Sequence, residues 1–229
     1  MSVSASKVAD AGHAEPGSRE RRYRSPLRAK RAAETRDALL TSAHRLFVAN
    51  GWVGTGMRDV AVEAGVATET LYAYFSSKRV LFQAVVDMAV VGDDRPVAVA
   101  DRPEFAAMGR GRHSVRTAAA ARLLTAIHTR TAALAKVIRE AAASDEEIAD
   151  ELDATRERQR HDVAAAAELI MGRAPTMAER DGLWALTSPE VFLLLIEVSG
   201  WTPEQYQGWM AETLERVVPR ASTRRAAGP

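Results

Sequence analysis

What most constrains this chain is a series of helix-start signals down its second half, with no strand-like alternation between them. Ser144 with Glu147 and Thr176 with Glu179 have capping-box spacing, in which each side chain satisfies an orphan backbone N–H. Ser188-Pro189-Glu190 and Thr202-Pro203-Glu204 each set a hydroxyl cap, a first-turn proline and a first-turn acid in order. These signals predict helices at about 104–110, 113–143, 145–172, 177–187, 189–199 and 203–218. No segment repeats with a period of two residues, so the predicted fold class is all-α.

The first third is built from shorter pieces. A helix from about Arg31 to Asn50 carries Leu39, Ala43, Leu46, Phe47 and Asn50 on one stripe, and Asn50-Gly51 stops it. In GWVGTGMRDVAVEAG, Thr55 or Gly56 begins a short helix, with Asp59 in its first turn and Val60, Ala61 and Ala64 as a small apolar face. Gly65 makes a turn, a third helix spans about Thr68 to Phe75, and a fourth begins near Lys78 with Leu81, Ala84, Val85 and Met88 inward. The stretch GDDRPVAVADRPEF reads as a loop with one short turn.

Three short helices with a glycine turn between the second and third form a helix-turn-helix arrangement. Val66, Leu71 and Phe75 anchor the third helix, leaving Thr68, Glu69, Thr70, Ala73 and the polar ends of Tyr72 and Tyr74 outward. Charge supports a polyanionic partner for this region. Residues 19–82 carry twelve Lys/Arg against six Asp/Glu, whereas residues 83–229 carry eighteen against twenty-two.

Other functions find little support. The chain has no cysteine, which excludes disulfide scaffolds, thiolate metal sites and cysteine nucleophiles. The five histidines lack metal-ligand spacing, so neither a metal nor a cofactor is expected. Tyr74 and Lys78 have Y-x-x-x-K spacing and Gly109-Arg110-Gly111 mimics part of a dinucleotide fingerprint, but neither has the strand context that chemistry requires. No catalytic residue is expected. The polar N-terminus and the shortness of the apolar block VFLLLI at 191–196 predict a cytoplasmic protein without a membrane partner.

Residues 35–82 resemble the DNA-binding domain of the tetracycline-repressor (TetR) family of transcriptional regulators. The resemblance rests on LLTSAHRLFVANGW, then TGMRDVA, AGV and TLYAYFSSK in that order. It implies a ligand-responsive regulator, usually a repressor, that binds a palindromic operator in double-stranded DNA as a homodimer and is released by a small-molecule effector. It implies a base or phosphate contact for Arg58, a major-groove face of Thr68, Glu69, Thr70 and Ala73, backbone contacts for Tyr72 and Tyr74, and a phosphate held at Lys78. Two positions depart from the family pattern: Ala67 stands where a small hydroxyl residue is common, leaving Thr68 to cap the third helix. Gly56 replaces the second hydroxyl of the usual pair, leaving Thr55 to cap the second.

The implied organisation is a disordered basic arm at 1–27, a DNA-binding head at 28–82, a helical ligand-binding and dimerisation body at 83–219, and a frayed tail at 220–229. The resemblance also implies a pocket in the body, with Met88, Phe105, Met108, Leu124, Arg122, His128, Met171, Trp184 and Phe192 as candidate liners. The C-terminal helices hold more apolar residues than one helix pair hides, which points to a dimer interface of Leu186, Val191, Leu194, Leu195, Val198, Tyr206, Trp209, Met210, Leu214 and Val217, with internal core as the alternative. The alternatives are a helix-turn-helix protein acting through protein contacts, or an all-helical enzyme.

Overall fold

The computed structural model describes residues 26–92, 99–143 and 145–220. The arm up to residue 25, the proposed cap Ser144 and the tail from residue 221 lie outside the described residues. Among the described residues ten α-helices run in order: α1 (Pro26–Asn50), α2 (Met57–Glu63), α3 (Thr68–Tyr74), α4 (Lys78–Val91), α5 (Pro103–Ala106), α6 (His113–Ala142), α7 (Glu146–Met171), α8 (Met177–Leu186), α9 (Pro189–Leu193) and α10 (Pro203–Val217). Among the described residues there is no strand. No described helix is long and apolar enough to cross a membrane.

The helix starts follow the chemistry of the sequence. Thr176 and Glu179 form the reciprocal capping box, with the Thr176 N–H donating to the Glu179 carboxylate at 2.8 Å and the Glu179 N–H to the Thr176 hydroxyl at 3.3 Å. Thr202 and Gln205 do the same at the head of α10. Ser188 accepts from the Val191 N–H. At α7 the cap is Asp145, whose carboxylate accepts from the Ile148 N–H at 3.2 Å. α1 starts five residues earlier than expected, with Pro26 as its first residue, so the last two residues of the expected disordered arm are helical, and Arg28, Lys30 and Arg31 after them are helical and exposed. Proline suits that place because the first helical N–H has no partner to lose. After α9 the helix widens to π spacing over Leu194–Val198.

Two apolar cores organise the chain. The first gathers Leu39, Leu40 and Phe47 of α1, Val60 and Ala61 of α2, Leu71 of α3 and Leu81, Phe82 and Val85 of α4. It continues without a break into Leu134, Val137 and Ile138 of α6 and Ile148 of α7. The second holds Phe105, Met108, Ile170, Met171, Leu183, Phe192, Tyr206, Met210 and Leu214. α4 and α6 therefore tie the two halves together. At their crossing the Arg130 guanidinium of α6 donates to the Ala89 and Val90 carbonyls at 2.8 and 3.0 Å, satisfying acceptors that the end of α4 leaves open. Gly92 follows at φ +81°, and a Cβ there would lie 2.9 Å from the Arg130 guanidinium carbon.

Three of the residues assigned from sequence to a subunit interface are internal. Tyr206, Met210 and Leu214 of α10 are almost wholly buried, because that face of the helix packs on α6 within the same chain. Leu194, Val198 and Val217 are exposed, while Leu186, Val191, Leu195 and Trp209 are part-buried.

Candidate functional site

The helix-turn-helix is shaped by how α2 ends. Ala64 closes the helix and Gly65 takes φ +68°. The Val66 N–H then reaches the Ala61 carbonyl at 3.0 Å and the Gly65 N–H reaches Val62 at 3.1 Å, the paired bonds of a Schellman turn. This reverses the chain within two residues and lays Val66 against the core beside Ala61.

Neither expected hydroxyl cap forms. Gly56 is the N-cap of α2, and the Asp59 carboxylate accepts from its N–H at 3.0 Å. Thr55 is buried and its hydroxyl points back to the Leu46 and Gly51 carbonyls at 3.0 and 2.9 Å. The orphan carbonyls at the end of α1 outcompete the N-terminus of α2 for it. Ala67 is the N-cap of α3 with no side-chain cap, and Thr68 is the first helical residue. Thr55→Val, which keeps the shape and removes the hydroxyl, is expected to cost about 1–2 kcal/mol in a urea melt.

α3 is anchored on one side and open on the other. Leu71 is fully buried and Phe75 nearly so, while Glu69, Tyr72 and Ala73 are exposed and Thr68 and Thr70 are half-buried. Arg58 is exposed on α2. Tyr74 and Lys78 are less free. The Tyr74 hydroxyl donates to the Ala32 carbonyl of α1 at 3.2 Å. The Lys78 ammonium donates to the Trp52 carbonyl and lies 4.4 Å from the centre of the Trp52 ring. Trp52 in turn stacks on Phe47 and meets Phe82 edge-on. Burial in this nook pulls the Lys78 pKa down, partly offset by the Asp145 carboxylate. Both side chains brace the helices behind α3.

In the second half a cavity of about 220 Å³ is lined by Phe105, Met108, Leu124, His128 and Trp184, five of the candidate liners. The others lie elsewhere: Met88 packs against the first core, Met171 is buried in the second, and Arg122 is exposed on α6. Phe192 sits behind the wall, 5.5 Å from the His128 ring and edge-on to Tyr206 at 4.8 Å. Sequence reading missed Thr131, Gln159 and Asp162, which also line the cavity. Thr131 carried a signal, as a hydroxyl between Ile127 and Ala135 on one helical stripe, whereas Gln159 and Asp162 stand in the polar run TRERQRHD and give none. Burial holds His128 neutral, with its pKa pushed down to about 4 despite the nearby Glu190 carboxylate, and Tyr206 OH lies 3.4 Å from His128 Nδ1. Desolvation likewise raises the Asp162 carboxyl.

Comparison with known proteins places these features. Residues 39–85 match the sequence model for bacterial regulatory proteins, tetR family. The HTH-type transcriptional repressor ComR of Escherichia coli K12 is 42% identical over 52 residues, which are 23% of this chain and 25% of ComR. The HTH-type transcriptional activator FasR of Mycolicibacterium smegmatis is 42% identical over 57 residues, 25% of this chain and 26% of FasR. The matched stretch thus spans about a quarter of the length of each of these relatives. The fold extends further. A solved structure described as a TetR-family transcriptional regulator from Rhodococcus sp. superposes with a TM-score of 0.62 at 18% identity, covering 82% of this chain and all of that one. A TetR-family member from Streptomyces coelicolor A3 gives 0.56 at 20% identity, covering 81% and 98%. The helix-turn-helix head thus matches the tetR-family sequence model, and the helical body behind it shares the fold of these solved regulators.

Proposed function

We propose that this protein is a ligand-responsive regulator that binds a palindromic operator as a homodimer, with residues 28–82 as the DNA-binding unit and residues 83–219 as the ligand-binding and dimerisation unit. The observation that carries this reading is the outward face of α3, where Thr68, Glu69, Thr70, Tyr72 and Ala73 stand on a helix held rigidly from behind. Arg58 on α2 flanks that face and supplies a phosphate or base contact. Tyr74 and Lys78 contribute chiefly by fixing the angle of α3, with Lys78 also adding positive charge beside the backbone. The exposed Leu194, Val198 and Val217, with the part-buried Leu186, Val191, Leu195 and Trp209, form the dimer face. A ligand in the 220 Å³ cavity favours a conformer whose heads are wrongly spaced, and its differential affinity for that conformer sets the response. Repression is the mode we favour. The head is shared by a named repressor and a named activator, so the sign depends on where the operator lies relative to the promoter.

Fragments selected from the source genome, titrated by fluorescence anisotropy against the full chain, test the proposal. Affinity is expected to fall with salt at a log–log slope of about −0.9 per phosphate neutralised. Thr70→Ala is expected to shift the preferred sequence, whereas Lys78→Ala weakens specific and random DNA alike, by about tenfold. Absence of binding to any DNA at low salt would rule the reading out.

A further inference from the structure

Resting on the reading that the cavity takes an effector, we infer that the effector is an amphiphile: an apolar body about the size of a substituted phenyl ring, carrying a hydrogen-bond acceptor oxygen at one end rather than a cationic group. The geometry of two adjoining spaces points to this. The 220 Å³ cavity is walled by Phe105, Leu124, Ile127 and Ile170, and it is somewhat larger than the ~150 Å³ apolar void that holds benzene. A polar cleft of about 620 Å³ adjoins it, and the two share Thr131, Ala135, Gln159, Trp184, Ser188 and Pro189 as walls.

Two donors at or beside that shared wall are unmet. Trp184 Nε1 and Arg160 Nε are buried with no hydrogen-bond partner among the described residues. The Arg160 guanidinium lies 4.3 Å from the centre of the Trp184 ring, so the two orphans are neighbours. Both groups only donate, and buried donors without acceptors are rare because each forfeits its bond to water. Arg160 Nη1 already reaches the Glu157 carboxylate at 3.4 Å, so only its Nε is unmet, and the Gln159 amide on the shared wall can both donate and accept. Thr131 and Thr187 donate to the Ile127 and Leu183 carbonyls at 3.0 and 2.8 Å, and Ser188 accepts from Val191. In the cleft, Arg139 pairs with Glu190 at 2.5 Å and Arg156 with Asp153 at 3.1 Å, which leaves those carboxylates matched. Asp162 is the acidic wall of the apolar space, and desolvation favours its neutral form. The two orphan donors Trp184 Nε1 and Arg160 Nε lack an acceptor of their own, and an incoming ligand supplies one.

Calorimetric titration of the full chain with three phenylalkyl probes tests this: 4-phenylbutanoate, 4-phenylbutanamide and 4-phenylbutylamine. The carboxylate or the amide is expected to bind at least about tenfold tighter than the amine. Trp184→Phe is expected to lower that affinity about tenfold while leaving the amine unchanged. Arg160→Met is expected to act in the same direction, which keeps the test decisive if one variant unfolds by circular dichroism. An amine that binds as tightly as the others, or folded variants that bind all three as the parent does, would overturn the assignment. So would failure of all three probes to bind a chain that still binds DNA, which leaves the regulator reading intact. Tight binding of the acceptor probes without any change in DNA affinity supports the site and overturns the effector role assigned above.

Discussion

Tyr206→Ala is expected to destabilise the fold by about 3–5 kcal/mol, the range for emptying a buried aromatic site. Tyr206 is fully buried, meets Phe192 edge-on at 4.8 Å, and lies 6.3 Å from the His128 ring and 6.1 Å from Trp209. Removing the ring there adds a cavity penalty to the lost transfer energy. Tyr206→Phe keeps the ring and gives up only the hydroxyl near His128, for about 1 kcal/mol. Val198 is 76% exposed, and Val198→Ser is expected to change chain stability by less than about 0.5 kcal/mol. On the proposed dimer its effect falls on self-association, read as a concentration-dependent shift in sedimentation velocity. Urea melts of the three variants check the division between core and interface. A Tyr206→Ala chain as stable as the parent would mean that α10 does not pack on α6.

Acidification is expected to weaken the fold by about 2 kcal/mol through His128 alone on going from pH 7 to pH 4.5. The folded pKa, near 4, lies below the usual 6.5 because burial penalises the imidazolium. In the window between those values the unfolded chain binds a proton that the folded chain refuses, so stability rises with pH across it and falls on acidification. Above about pH 6.5 both states are neutral and the contribution is flat. Glu190 is the one opposing influence, since its carboxylate favours the charged ring. His128→Gln removes the titration, so its stability is expected to fall less than the parent's between the two pH values. Equal losses in both proteins would place the ring in a wetter site than the structure gives it. The same experiment bears on the cavity, because a charged His128 would add to its wall a cation that an apolar ligand must face.

Much of this architecture was legible before any coordinates. Hydroxyl–Pro–Glu triplets and capping boxes mark their own helix starts, since the groups that satisfy orphan N–H donors lie within three residues of them. Gly65 was legible for a similar reason, as the turn needs a positive φ that other residues resist. Thr55 was not, because its hydroxyl had two sets of orphan groups within reach and only the chain path decides between them. The interface assignment failed at Tyr206, Met210 and Leu214 because helical periodicity shows that a stripe is apolar and not what covers it. In α10 the cover is α6 of the same chain. The cavity walls divided similarly. Phe105, Met108, His128 and Trp184 converge because the helices carrying them pack together, while Met88 sits one core away on a helix that serves both halves.

That shared helix has a mechanical consequence. α4 has 14 residues, a rod of about 21 Å at 1.5 Å per residue. One end is gripped by Arg130, beside the cavity walls His128 and Thr131, and the other lies within the head beneath Lys78 and Trp52. A rod held this way amplifies angle into distance: a tilt of about 6° at the gripped end carries the far end roughly 2 Å. In the proposed dimer the two displacements are mirrored by the two-fold axis, so the reading heads separate or approach by about 4 Å against a DNA repeat of about 34 Å. In the proposed mechanism the lever ratio, set by the length of one helix, would let a ligand of a dozen or so heavy atoms govern a fit to two turns of DNA.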